Sequence, residues 1–120
     1  MGDSKTPEDI VAAQWECVLS DGAERIDPIV PRTAYGHPSL RELFPMVSHG
    51  VLYLSRCTEY PWTRDVGTAY PLVAGGYRVR RESDKTLIGE VDTAEEAYEL
   101  IAAHLPEGCG PAVDGTPDDL

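Results

Sequence analysis

An α+β fold, an antiparallel sheet of three to four strands with about three helices packed against it, follows from three observations in this 120-residue chain. Apolar residues recur at helical spacing over Val11, Trp15, Val18 and Leu19, and again over Ala94, Ala97, Tyr98, Ile101 and Leu105. Between them the period falls to two, as on strands whose side chains alternate between faces. The turns that separate these alternating runs are short, which leaves antiparallel neighbours as the only arrangement.

The first helix opens at Thr6-Pro7-Glu8-Asp9, where Thr6 can cap, Pro7 carries the backbone angle of a first helical position, and two acids meet the positive end of the dipole. Gly22 is its natural stop. Residues 23 to 31, with Pro28 and Pro31 around Ile29 and Val30, read as extended and irregular. His37 to Pro45 reads as a short second helix, with Leu40, Leu43 and Phe44 on one face and Pro45 blocking continuation. From Gly50 to Cys57 the alternation of Val51, Tyr53 and Ser55 with Leu52, Leu54 and Arg56 predicts a central strand, and residues 58 to 67 a loop.

A meander follows. Thr68 to Val73 is strand-like, with Pro71 arguing for an edge; Ala74-Gly75-Gly76 turns the chain; Tyr77 to Arg81 returns; Ser83-Asp84-Lys85 turns again; Thr86 to Val91 completes it. Thr93-Ala94-Glu95-Glu96 has the pattern of a capping box for the last helix, which Pro106 ends. Residues 1–113 are expected to form one domain, and 114–120, rich in Asp, Gly and Pro, a mobile acidic tail. A ferredoxin-like arrangement is one candidate, although helices first and strands bunched together do not follow its alternation.

Composition narrows the function. Ten basic side chains against 21 acidic ones give a net charge of -11, which repels nucleic acid and anionic membranes, so neither is expected as a partner. The absence of a long apolar run and of a signal-peptide pattern points to the cytoplasm. Cys17, Cys57 and Cys109, at spacings of 40 and 52, match neither a disulfide framework nor a zinc site, so reduced thiols and no metal are expected. Nucleotide-binding and hydrolase motifs such as a Walker loop, HExxH or GxSxG do not occur. A homo-oligomer is compatible with this composition.

Four groups of residues could carry chemistry. Cys57 and His49 stand at opposite ends of one strand, about 25 Å apart, too far for a dyad; Cys57 is either a core thiol or a nucleophile paired elsewhere. Tyr60, Trp62, Arg64 and Asp65 occupy a Pro-containing loop, where the rings either recognise a ligand or lid the core. Arg78, Arg80 and Arg81 form the dense basic patch of an acidic chain; the face of Arg78 and Arg80 is either solvated or meets an anion. Glu107 follows a helix C-terminus, whose negative end should raise its pKa toward that of a general acid, with His104 close by; the plain alternative is an exposed loop carboxylate.

The segments His37–Pro45, Val47–Thr58 and Leu105–Ala112 resemble, in order and spacing, a family of small bacterial natural-product biosynthesis proteins, over roughly residues 30 to 120. Proteins of this kind are similar to thiopeptide-tailoring enzymes that remove a terminal dehydroalanine to leave a C-terminal amide. The resemblance implies a peptide-derived small-molecule substrate, no cofactor, and general acid/base catalysis: protonation of the enamide carbon, addition of water, and collapse of the hemiaminal. Glu107, helped by His104, would then carry the protons, and Tyr60, Trp62 and Tyr70, with Arg78 and Arg80, would bind substrate. The other class left open is a non-catalytic accessory protein that holds a peptide or carrier-protein partner; a third is an enzyme with Cys57 or Cys109 as nucleophile.

Overall fold

The computed structural model describes residues 6–20 and 26–120, so the expected helix stop at Gly22 lies outside the described residues. Helix α1 runs Pro7–Ser20. Thr6 and Asp9 cap it reciprocally, each side chain accepting the other's backbone N–H at 3.2 Å. Its buried face is Val11, Trp15 and Val18, as the spacing requires. Trp15 is 1% exposed, and its indole N–H donates to the Leu43 carbonyl at 3.0 Å, which satisfies the one polar atom of the largest core side chain.

The last three residues of the segment expected to be irregular, 29 to 31, open helix α2, Ile29–Tyr35. The prolines that suggested a break fall at its start: Pro28 is the N-cap and Pro31 lies in the first turn, where backbone N–H groups have no intrahelical acceptor and proline costs nothing. The next expectation also needs correction. Helix α3 covers only Pro38–Arg41, and Phe44–Ser48 is a strand, β1, paired antiparallel with β2, Val51–Ser55. Proline at position 45 is tolerated because β1 is an edge strand that needs donors on one side only. His49 (φ 54°) and Gly50 (φ 77°) make the two-residue turn between them, both in the left-handed region that matches hairpin twist.

Strands β3, Thr68–Pro71, β4, Tyr77–Arg81, and β5, Thr86–Val91, form a second antiparallel sheet in sequential order, as expected. Gly76 (φ 81°) closes the β3–β4 turn beside the Val91 carbonyl, which an added Cβ would meet at 2.6 Å. The strand read as central in one sheet is therefore the inner strand of a separate hairpin, because no hydrogen-bonded ladder joins β2 to β3. Mixed α and β content is thus as the sequence predicts, but helices, hairpin, meander and helix in succession are not the ferredoxin-like order.

Helix α4, Ala94–Ala103, buries Ala94, Ala97, Tyr98 and Ile101. The Thr93 hydroxyl accepts the Glu96 N–H at 3.1 Å, while the Glu96 carboxylate takes the Thr93 hydroxyl rather than its backbone N–H. One core joins α1, α2 and α4 to both sheets through Trp15, Leu43, Leu54, Val66, Val79 and Ile101. Residues 114–120, expected as a mobile tail, are bonded to the loop after β2: Glu59 N–H donates to the Gly115 carbonyl at 2.8 Å and Thr58 Oγ1 to Asp114 Oδ1 at 2.9 Å. A 3-10 turn, Pro117–Asp119, follows, capped by Thr116. Among the described residues no helix is long and apolar enough to cross a membrane.

At the β4–β5 turn the Asp84 carboxyl is held down to about 2, mainly by hydrogen bonds from the Arg81 guanidinium and from Thr86. A depressed folded-state pKa contributes stability above the ordinary aspartate value of about 4 and loses it as pH falls toward about 2. Arg81→Ala is therefore expected to move the Asp84 titration midpoint back toward 4, measured by carboxyl NMR, whereas an unmoved midpoint would show that Arg81 does not hold it.

Candidate functional site

Between the β1–β2 hairpin and the β3–β4–β5 sheet, where the ladder is interrupted, lies a cleft of about 490 Å³. One wall is the loop from residue 56 to 67, and its shape is fixed from within. Ser55 Oγ accepts the backbone N–H groups of Cys57 and Thr63, each at 3.1 Å, and donates to the Cys57 carbonyl at 2.9 Å. Thr63 Oγ1 accepts the Arg56 N–H at 2.8 Å, and Arg56 Nε donates to Asp65 Oδ2 at 3.1 Å. A buried serine in an otherwise apolar strand is thus the hub that folds the loop back on itself. Cys57, fully buried beside it, is packed into this hub, away from solvent.

The loop presents its aromatics outward. Tyr60, 74% exposed, and Trp62, 37% exposed, meet edge to face at a centroid distance of 5.5 Å, and the Trp62 N–H donates to the Thr58 carbonyl at 3.2 Å. The Tyr60–Pro61 peptide is cis. Thr58 in turn is held by the C-terminal segment: its N–H donates to the Val113 carbonyl, and its hydroxyl accepts the Gly115 N–H, both at 3.0 Å. The segment after Ala112 is therefore the backing of the aromatic wall.

The opposite wall is polar at its floor. Tyr70 of β3 donates its hydroxyl to Glu82 Oε2 at 2.6 Å and meets Tyr53 of β2 edge to face at 6.4 Å. Glu82 also receives Arg80 at 3.5 Å and Lys85 at 3.4 Å. The Tyr70 hydrogen bond, with Lys85 and Arg80, holds the Glu82 carboxyl below the usual glutamate range despite partial burial. Burial, together with Glu82, pushes the Tyr70 phenol well up. This pair is an ionised carboxylate and a neutral phenol across the working pH range, suited to binding and unsuited to donating a proton. Arg64 and Thr68 complete the polar lining, with Met46 and Leu54 apolar beneath.

Of the residues singled out from sequence, Tyr60, Trp62 and Tyr70 are brought together in this cleft. Glu107 and His104 are not among its lining. Glu107 sits exposed in the turn Pro106–Cys109 beyond α4, and the His104 ring donates from Nδ1 to the Leu100 carbonyl at 2.9 Å, terminating the helix. Arg78 is paired with Glu90 at 2.8 Å and Arg80 with Glu82, so the basic patch is largely neutralised by neighbouring acids. Cys109 is half-buried, and burial pushes its thiol up, away from the thiolate a nucleophile needs. Among the described residues no cluster of His, Cys, Asp or Glu could hold a metal ion.

Arg64, named in the sequence as a loop residue beside Asp65, also lines the cleft, whereas Glu82 and Tyr53 were passed over as site residues. No local motif marks the three as a set: they come from three segments, and only the splaying of β2 from β3 places their side chains in one space.

A second groove of about 660 Å³ runs along α1 and is lined by Trp15, Tyr35, Arg41 and the segment Pro111–Asp114. Its one cation, the exposed Arg41, lies over the Tyr35 ring at 4.9 Å and donates from Nε to the Tyr35 carbonyl at 2.9 Å.

Among proteins of known sequence groups, the chain matches a family described as "Family of unknown function (DUF6193)" over residues 9–116. No curated protein and no solved structure matches it. A match that spans nearly the whole chain makes this protein a member of the DUF6193 family.

Proposed function

We propose that this protein binds a peptide-derived small molecule in the cleft between its two sheets, as a non-catalytic accessory protein of a natural-product pathway. The observation that carries the proposal is the composition of that cleft: four aromatic side chains, Tyr53, Tyr60, Trp62 and Tyr70, above an ionised glutamate. Rings with a polar tip give large contact area at low entropic cost, which is how sites for peptides and their derivatives are built. The pathway context rests on the sequence resemblance alone.

Removal of a terminal dehydroalanine asks for a carboxylic acid beside the aromatic wall. The carboxyl that lines the cleft is Glu82, and its lowered pKa makes it an acceptor, not an acid. Glu107 is not among the residues that line the cleft. Binding without turnover is therefore favoured over catalysis.

The test is to incubate the purified protein with a thiopeptide precursor and shorter peptide fragments, measure binding by calorimetry, and analyse the mixture by mass spectrometry. Binding with unchanged ligand mass is expected, weakened about tenfold or more by Trp62→Ala. Loss of a three-carbon fragment would make the protein the dealkylase and overturn the accessory role; loss abolished in Glu107→Gln would return the reaction to that carboxyl.

A further inference from the structure

Building on the cleft as the ligand site, we infer that it recognises a zwitterion of amino-acid type with a bulky apolar side chain: ammonium toward Glu82, carboxylate toward Arg64, and side chain against Tyr60 and Trp62. Two side chains of opposite charge line this one cleft. Their segments are neighbours, since the Ser83 N–H donates to the Arg64 carbonyl at 2.9 Å. Yet Glu82 and Arg64 form no ion pair with each other, and Arg64 is exposed and in no ion pair among the described residues.

Glu82 has acceptor capacity to spare. A carboxylate offers about four lone-pair sites, and the one short bond it accepts is from Tyr70, at 2.6 Å. Lys85, 70% exposed at 3.4 Å, and Arg80, 38% exposed at 3.5 Å, are long contacts open to water, of the kind that contributes little and yields easily to a closer cation. The ring faces around the site are themselves attractive to an ammonium group.

Neither charge alone fits as well. A simple amine gains Glu82 but meets Arg64, Arg80 and Lys85; a simple acid gains Arg64 but meets Glu82 and a chain of net charge -11. A ligand that carries both pairs Glu82 and Arg64 together, while Arg80 and Lys85, themselves open to water, are left to solvent.

The experiment is calorimetric titration of the full chain with four probes of one shape: tryptophan, tryptamine without the carboxylate, indole-3-propionate without the amine, and 3-methylindole with neither. Tryptophan is expected to bind at least about tenfold tighter than either singly charged probe, as one charge-assisted hydrogen bond provides. Arg64→Ala, at an exposed position, should bring tryptophan down to the level of tryptamine without moving the melting temperature. Glu82→Gln should bring it down to the level of indole-3-propionate. If all four probes bind alike, the charged ends are not read and the inference falls while the cleft remains a binding site. It falls in the same way if none of the four binds but a larger peptide-derived ligand does. If nothing binds at the cleft, the inference and the proposed function fall together.

Discussion

Trp15→Ala lowers the stability of the fold by about 3–5 kcal/mol, a large part of the roughly 5–15 kcal/mol that keeps a domain folded. Two losses combine. The indole is 1% exposed at the junction of α1 with β1, α2 and the core, so its removal opens a cavity lined by side chains that are themselves buried. It also leaves the Leu43 carbonyl without the N–H that satisfies it at 3.0 Å. Urea denaturation checks this, and Trp15→Phe separates the terms: the smaller ring keeps most of the packing and loses the hydrogen bond, so its cost should be less than half. Equal costs for the two variants would place the energy in the hydrogen bond, and a cost under about 1 kcal/mol for alanine would mean the indole is not the keystone of this core.

Deleting residues 113–120 has the second largest effect, and a double one. The deletion removes Val113, whose carbonyl accepts from Thr58 and whose N–H donates to Arg56, and Gly115, bonded to both Glu59 and the Thr58 hydroxyl. At about 0.5–1.5 kcal/mol for each of these four bonds the loss is about 2–6 kcal/mol. More telling is the local effect: Thr58 holds the Trp62 indole, so the aromatic wall loses its backing. Hydrogen exchange of the Thr58 and Glu59 amides should speed up, and affinity at the cleft should fall about tenfold or more. A mobile tail of the kind composition suggests would make the deletion silent on both counts.

What the chain revealed in advance was what local rules govern. α4 with its Thr93 cap, α1 with its Thr6 cap, and the β3–β4–β5 meander with its glycine turn all follow from periodicity and capping within a window of a few residues. The misreadings share a cause as well. Pro28, Pro31 and Pro45 look like interruptions in sequence, but proline is disfavoured only where an N–H is needed, and that depends on whether it falls in a first helical turn or on an outward strand edge. Phe44 could complete a helical face or alternate in a strand, and pairing with Ser55 decided it. The tail looked disordered because its partners, Thr58 and Glu59, are over fifty residues away.

The site was half legible. Tyr60 and Trp62 stood out because rings in a Pro-containing loop are unusual, and they do line the cleft. Glu82, at the start of the β4–β5 turn, did not, since its role depends on the Tyr70 hydroxyl twelve positions away on β3. Glu107 drew attention through a general dipole rule, and tertiary structure put the cleft elsewhere.

Chemical-shift mapping of the labelled protein during titration with tryptophan and with a thiopeptide fragment tests the location of the site most directly. The largest shifts are expected in residues 58–66 and at Tyr53, Tyr70 and Glu82, with the α4 terminus unmoved. Shifts centred on His104 to Cys109, with the aromatic loop silent, would contradict the account.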